Sequence, residues 1–171
     1  MSDPSLSVDE LFSLAYEELR RMAAAIRRGD PSATLTPTAL VNEAWLKLAS
    51  SPPLKATSKI HFKRIAARAM RQVLVDAARR RAAAKRGSGN AMVTFDEGLE
   101  AGITTSEEVM ALDAALEDLA RLNPRQAAMV ESRFFGGLDV AETAELLGVS
   151  EATILRDWRA AKAWLAHELK R

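Results

Sequence analysis

The chain has 171 residues, 48% of them hydrophobic and 27% charged, and a formal net charge of +1, a composition that supports a folded core and excludes wholesale disorder. It holds no cysteine, so a disulfide scaffold, a thiolate metal site and a cysteine nucleophile are excluded, and its two histidines, His61 and His167, lie far apart without ligand spacing, so a histidine-rich metal site is not expected. No apolar run nears the ~20 residues that span a bilayer, and the N-terminus MSDPSLSVDELF lacks the basic run and apolar core of a signal peptide, so a cytoplasmic protein without a membrane partner is expected.

Alanine and leucine are plentiful and β-branched alternation is nearly absent, so an all-α fold is expected. A first helix is predicted over residues 8–28, with Leu11, Leu14, Ala15, Leu19, Met22 and Ile26 on one face and Gly29-Asp30-Pro31 as its stop. Thr36-Pro37-Thr38 reads as a helix start with proline in the first turn. The second helix runs through residues 39–49, to the Ser50-Ser51-Pro52-Pro53 break. A long helix is predicted over residues 58–86, closed by Gly87-Ser88-Gly89-Asn90. Residues 88–106, rich in Gly, Thr and acids, have linker composition. Helices resume near residue 106, interrupted at Asn123-Pro124, Gly136-Gly137 and Gly148. The expected organisation is two small helical domains, residues 1–87 and 107–171, joined by a flexible acidic linker over residues 88–106.

The near-zero net charge conceals a strong local asymmetry. Residues 55–87 carry eleven basic groups and one acid, Asp76, whereas residues 88–118 carry eight acids and no base. Basic density of this order points to a polyanion such as nucleic acid, against the plainer alternative of a solvated helix face. At roughly 100° per residue, Phe62, Ile65, Ala66, Ala69, Val73 and Ala77 fall on one side of the long helix. Arg64, Arg68, Arg71 and Arg79 gather on the other, with Val75 among them. Burial of the first side leaves a row of guanidinium groups able to bond phosphate oxygens in pairs. Such contacts position nucleic acid without reading its sequence. Phe62 reads as core in preference to a base-stacking platform, and Asp76 as a structural ion pair in preference to a catalytic acid. The acidic block is a candidate shield for the basic surface when nucleic acid is absent.

Residues 140–154, VAETAELLGVSEATI, have the pattern of a helix-turn-helix. Ala144 is small enough for a second helix to cross closely. Gly148 takes the turn, where positive φ is needed, and Val149 fills the corner. Ser150 is positioned to cap the second helix, with Glu151 in its first turn. Ile154, Trp158, Ala161, Leu165 and Leu169 form its buried stripe, and Trp164 sits off it. Ala152, Thr153, Arg156 and Arg159 are left outward, on the side that enters the DNA major groove in this motif. Arg156 suits a bidentate guanine contact and Thr153 a thymine methyl or a phosphate.

Together these pieces resemble the sigma-70 class of bacterial RNA polymerase sigma factors, in particular the short two-domain extracytoplasmic-function (ECF) group. The resemblance rests on three stretches. Residues 39–48, ALVNEAWLKL, are similar to the helix that docks on core polymerase, which implies binding through Leu40, Val41, Asn42, Glu43, Trp45, Leu46 and Lys47. Asn42 and Trp45 stand where the family usually has glutamine and phenylalanine. Residues 69–81, AMRQVLVDAARRR, are similar to the promoter-melting helix, which implies −10 DNA contacts from Lys63, Arg64, Arg68, Arg71, Gln72, Arg79 and Arg80. Gln72 replaces a common asparagine, and a tryptophan usual one turn earlier is missing. By the same resemblance the loop over residues 51–59 would capture an unstacked −10 base.

The third stretch joins Leu122-Asn123-Pro124-Arg125-Gln126, Phe134-Phe135-Gly136-Gly137-Leu138 and the helix-turn-helix. It implies −35 contacts from Ser150, Glu151, Ala152, Thr153, Arg156 and Arg159. Leu155, Arg156 and Asp157 stand where lysine and then serine-arginine are usual, and Asp157 would oppose phosphate if it faced DNA. The resemblance implies a non-enzymatic promoter-specificity subunit without cofactor or metal. Its partners would be core RNA polymerase and promoter DNA, duplex at −35 and melted at −10, with an anti-sigma protein as a further family partner. The competing readings are a stand-alone helix-turn-helix regulator and a sigma-like protein that sequesters a partner. An enzyme is the weakest reading, because no nucleophile, glycine-rich phosphate loop or metal constellation is visible.

Overall fold

A computed structural model describes residues 7–26, 36–50, 58–84 and 106–170. Among these residues the chain forms seven α-helices and no strand: α1 (Val8–Ile26), α2 (Pro37–Ala49), α3 (Lys59–Ala84), α4 (Ser106–Leu122), α5 (Pro124–Gly136), α6 (Val140–Leu147) and α7 (Glu151–Glu168). This is the expected all-α fold. The predicted stops at residues 29–31 and 51–53, the 51–57 part of the proposed base-capturing loop, and residues 88–105 of the linker lie outside the described residues.

Helix starts follow the local chemistry of the sequence. Thr36 caps α2, its Oγ1 accepting from the Ala39 amide at 3.1 Å, with Pro37 in the first turn. Asn123 caps α5 in the same way, accepting from the Gln126 amide at 3.1 Å, with Pro124 following it. Each cap satisfies a backbone donor that the first turn leaves free.

The apolar face of α1 is narrower than expected. Leu11 and Leu19 are buried as predicted and Ala23 joins them, but Leu14 is 56% exposed. At roughly 100° per residue, Leu11, Leu19 and Ala23 span a ~120° arc, and Leu14 lies ~60° outside its edge.

The long helix α3 is the centre of the molecule. It touches α1, α2, α4, α5 and α6. Phe62, Ala66, Ala69 and Val73 are buried, as the first face predicts. Ala67, Met70, Leu74, Val75 and Ala78 are buried as well. The side carrying Val75 and the arginines is therefore not an open surface: α4 and α5 lie over α3. Small residues permit this approach. A Cβ added at Gly136 on α5 would stand 2.9 Å from the Ala67 Cβ and 3.0 Å from the Lys63 carbonyl oxygen, so this crossing requires glycine.

The buried residues form one continuous cluster that runs from α1–α3 into α4–α7. At one end Phe12 stacks on Trp45 with centroids 4.5 Å apart and meets Phe62 edge-on at 6.5 Å. At the other, Phe134 and Phe135 meet edge-on at 4.8 Å, near Leu112, Leu116, Met129 and Ile154 in the same core. Phe62 is wholly buried. Its replacement by alanine should cost about 3–5 kcal/mol, measured by urea denaturation; a loss below about 1 kcal/mol would contradict its place at the centre of the packing.

Candidate nucleic-acid interface

The helix-turn-helix is built by its caps. Asp139 accepts from the Glu142 amide at 2.8 Å while the Glu142 carboxylate accepts from the Asp139 amide at 3.0 Å, a reciprocal capping box at the start of α6. Gly148 takes φ 66°, turning the chain between the helices. Ser150 then caps α7, its Oγ accepting from the Thr153 amide at 3.1 Å. Ile154, Trp158, Ala161 and Leu165 are buried, and Leu169 and Trp164 pack partly buried against the same core. Trp164 is therefore part of the local packing.

Ser150, Glu151, Ala152, Arg156 and Arg159 are exposed and Thr153 is half-buried. These six residues therefore line the start and outer face of α7. Leu155 shares that face and is 48% exposed. Asp157 does not. Its carboxylate is buried and accepts from Arg125 Nε on α5 at 2.9 Å. The negative charge that would oppose phosphate is thus turned inward and neutralised. Trp158, the next residue, carries the guanidinium of Arg133 over its ring at 4.4 Å. Burial pushes the Arg133 pKa down, the field of Asp139 offsets part of this, and Nε has no hydrogen-bond partner. The aromatic face supplies attraction in place of one.

The basic face of α3 is arranged differently. Arg71 donates to Asp113 Oδ1 on α4 at 2.8 Å, to Glu117 Oε1 at 2.9 Å, to Glu131 Oε2 on α5 at 2.6 Å and to the Asp113 carbonyl at 3.1 Å. Burial opposes its charge, but the Glu131 bond and the fields of Glu131 and Asp113 outweigh that and raise its pKa. Arg64 pairs with the other oxygen of Glu131. Arg79 reaches only to 3.9 Å of Asp113. Arg68, Gln72, Arg79 and Arg80 remain exposed. A cleft of about 240 Å³ opens here, lined by Arg64, Arg68, Arg71 and Gln72 opposite Asp113, Glu117 and Glu131.

Lys63 lies off this face and is only 2% exposed. Its Nζ contacts Glu18 of α1 at 2.7 Å and Glu142 of α6 at 3.3 Å, and Lys59 contacts the same Glu18 at 2.7 Å. Asp76 forms an ion pair, as expected, but with Lys47 of α2 at 3.0 Å and not with an arginine.

On α2 the residues divide between core and surface. Leu40 and Val41 are buried. Asn42 and Glu43 are exposed, Leu46 is 62% exposed, Trp45 is half-buried on Phe12, and Lys47 is held by Asp76. The outward group is therefore Asn42, Glu43 and Leu46, with Trp45 behind it.

Sequence reasoning did not find Glu18, Asp113, Glu117 and Glu131, the acids that hold the basic helix. The acidic block was visible, but Asp113 and Glu117 belong to α4 and Glu131 lies beyond the block altogether. Their spacing on the helices carried the only available signal: Asp113 and Glu117 are four residues apart on one face.

Glu18 is held at a pKa of about 2, against an ordinary 4.5, by its bonds to Lys59 and Lys63, with partial burial working in the other direction. A carboxylate lowered in the folded state contributes stability above its unfolded pKa and loses that contribution as pH falls through the folded one. Glu18→Gln should therefore destabilise the chain near neutral pH. The gap from the unchanged protein should close between pH 4.5 and about 2, read by denaturant titration across pH. A gap that stays constant through that window would contradict the ion pair.

Among the described residues no group of His, Cys, Asp and Glu is arranged to hold a metal, and no helix is long and apolar enough to cross a membrane. Comparison with curated proteins and with solved structures gave no match. Residues 4–171 match a family described as ECF sigma factor. With nearly the whole length matched and the helix-turn-helix geometry in place, the chain belongs to the ECF sigma factor family of RNA polymerase sigma factors.

Proposed function

We propose that this protein binds core RNA polymerase and directs it to promoters through three separate helical surfaces. Residues 1–87 form the polymerase and −10 domain, residues 88–106 the linker, and residues 107–171 the −35 domain. The observation that carries this reading is the outer face of α7, where Arg156 and Arg159 are exposed while the neighbouring Asp157 is neutralised by Arg125. That face combines positive charge with the exposed Leu155 and Ala152, which suits the mixture of polar and methyl contacts in a major groove.

Asn42, Glu43 and Leu46 of α2 form the polymerase-binding group, with Leu40, Val41, Trp45 and Lys47 supporting them. Arg68, Gln72, Arg79 and Arg80 of α3 hold the −10 strand, joined by Arg64 and Arg71 when their carboxylate partners withdraw. Lys63 supports α3 from beneath. Opening the duplex costs about 1–2 kcal/mol per base-pair step, and phosphate contacts along α3 would offset part of that. An anti-sigma protein is a further partner by family. The chemistry of bond formation belongs to the polymerase.

The test is run-off transcription with purified core polymerase and a pool of promoter fragments. New discrete start sites should appear when the protein is added. Arg156→Ala should weaken −35-dependent initiation by about 5- to 150-fold, the equivalent of losing ~1–3 kcal/mol for one bidentate base contact. Leu46→Ala should lower affinity for core polymerase without changing DNA binding by the free chain. The exposed α7 face also suits a regulator acting without polymerase. Strong sequence-selective binding by the free chain, with no new transcripts, would establish that second reading in place of the first.

A further inference from the structure

Leu155 is the anomaly on the outer face of α7. It stands at the start of the second turn and is 48% exposed. The other large apolar residues of the helix behave differently: Ile154, Trp158 and Leu165 are buried, and Trp164 packs partly buried against the core. At roughly 100° per residue, Leu155 lies ~60° around the helix from Ala152, ~40° from Arg159 and ~100° from Arg156. All three of those neighbours are exposed. The first two turns of α7 therefore present a small apolar patch, Ala152 and Leu155, beside two guanidinium groups.

Thr153, the other side chain suited to a thymine methyl, is engaged elsewhere. It is half-buried, its hydroxyl lies 3.0 Å from Ser150 Oγ, and its amide donates to the same oxygen at 3.1 Å. Its side chain therefore belongs to the helix cap. Asp157 is also withdrawn, bonded to Arg125. Leu155 is left as the large uncharged side chain among the outward residues of these two turns.

In the major groove each base pair shows a distinct pattern of donors and acceptors, and thymine alone adds a methyl group. Leucine has no hydrogen-bonding group. It can discriminate by touching that methyl, and by leaving the exocyclic amine of cytosine or adenine without a partner where it covers one. We propose that Leu155, with Ala152 beside it, reads thymine methyl groups in the duplex promoter element and is a specificity-determining residue of this chain. Arg156 and Arg159 supply the polar and phosphate contacts around it. This rests on the reading of α7 as the helix that faces duplex DNA.

The dimensions suit the proposal. Ala152 and Leu155 are separated by about 4.5 Å along the helix axis at 1.5 Å per residue, close to the ~3.4 Å step between stacked bases. The pair therefore fits the methyl groups of neighbouring thymines. It is too small to anchor a protein by itself, since a stable protein interface buries about 800 Å² on each partner.

The test begins with duplexes randomised over one turn of DNA and selected by the full chain in the presence of core polymerase. Each thymine of the enriched sequence is then replaced in turn by uracil, which lacks only the methyl group. For at least one thymine, the replacement should weaken binding about fourfold, the equivalent of ~0.8 kcal/mol for one buried methyl group. Cytosine at that position should cost more. In Leu155→Ala the difference between thymine and uracil should nearly vanish, with an unchanged Tm because the site is exposed. Leu155→Lys should move the preference at that position from thymine to guanine, whose O6 and N7 accept from lysine.

Equal binding of thymine and uracil at every position, in a sequence whose selection still requires Arg156, would overturn the proposal and leave α7 as the DNA-facing helix. A uracil penalty that survives Leu155→Ala would overturn it too. So would a loss of core polymerase affinity in Leu155→Ala with base preference intact, which would make the leucine a protein contact. If no sequence is enriched, or if Arg156→Ala leaves the enriched sequence unchanged, the reading of α7 itself fails and the proposal falls with it.

Discussion

Arg71 is bonded by three carboxylates from two other helices, and the arrangement of the molecule depends on that junction. A guanidinium taken out of water loses several kcal/mol of solvation unless partners replace it. Asp113, Glu117 and Glu131 supply those partners, and Glu131 serves Arg64 at the same time. Without them, a helix from the most basic block of the chain could not be buried on two sides. With them, α3 becomes the central helix, and the hydrophobic core runs continuously through both helical groups. Lys63 repeats the principle at a second point, held between Glu18 and Glu142 with almost no exposure.

The same accounting of charge explains the open surface of α7. A recognition helix with an outward aspartate would repel the phosphates it approaches. Here Asp157 is on the inner stripe, one residue before Trp158, and Arg125 reaches it from the first turn of α5. The outward positions then hold Arg156, Arg159 and the exposed Leu155. The buried Arg133, also on α5, braces that stripe against Trp158. The orientation of the outer face of α7 is thus set by charged contacts with α5 as well as by its apolar stripe.

Interfaces between domains are usually more polar than permanent cores. The contact between α3 and α4–α5 has both characters. Its ion pairs can be exchanged for phosphate or water, whereas the Gly136–Ala67 crossing is close apolar packing whose separation exposes surface to water. The packing of α4 and α5 on α3 is therefore more than a charge attraction. Asn42, Glu43 and Leu46 on α2 lie outward in this arrangement.

Much of the architecture was legible in the residues themselves. Thr36-Pro37, Asn123-Pro124, Gly148 and Ser150 mark helix ends because capping and positive φ are local properties, decided within four or five residues. The buried stripe of α7 and the Phe62 face of α3 followed from helical periodicity. What periodicity cannot say is which second face will also be covered. Val75 and Arg71 lie on the side of α3 that looks solvent-facing in isolation, yet Val75 is buried and Arg71 is held by carboxylates of α4 and α5. Glu18, Asp113, Glu117 and Glu131 carry no local signature of their roles, since their partners are more than forty positions away along the chain. Asp157 looked like a liability for the same reason, until Arg125 was brought beside it. The sequence by itself determined the helices, the ends marked by Thr36, Asn123, Gly148 and Ser150, and the helix-turn-helix, because these depend on neighbours a turn or two away. The tertiary structure alone decided which charges face water and which are paired, because that depends on long-range contacts whose strength varies with burial.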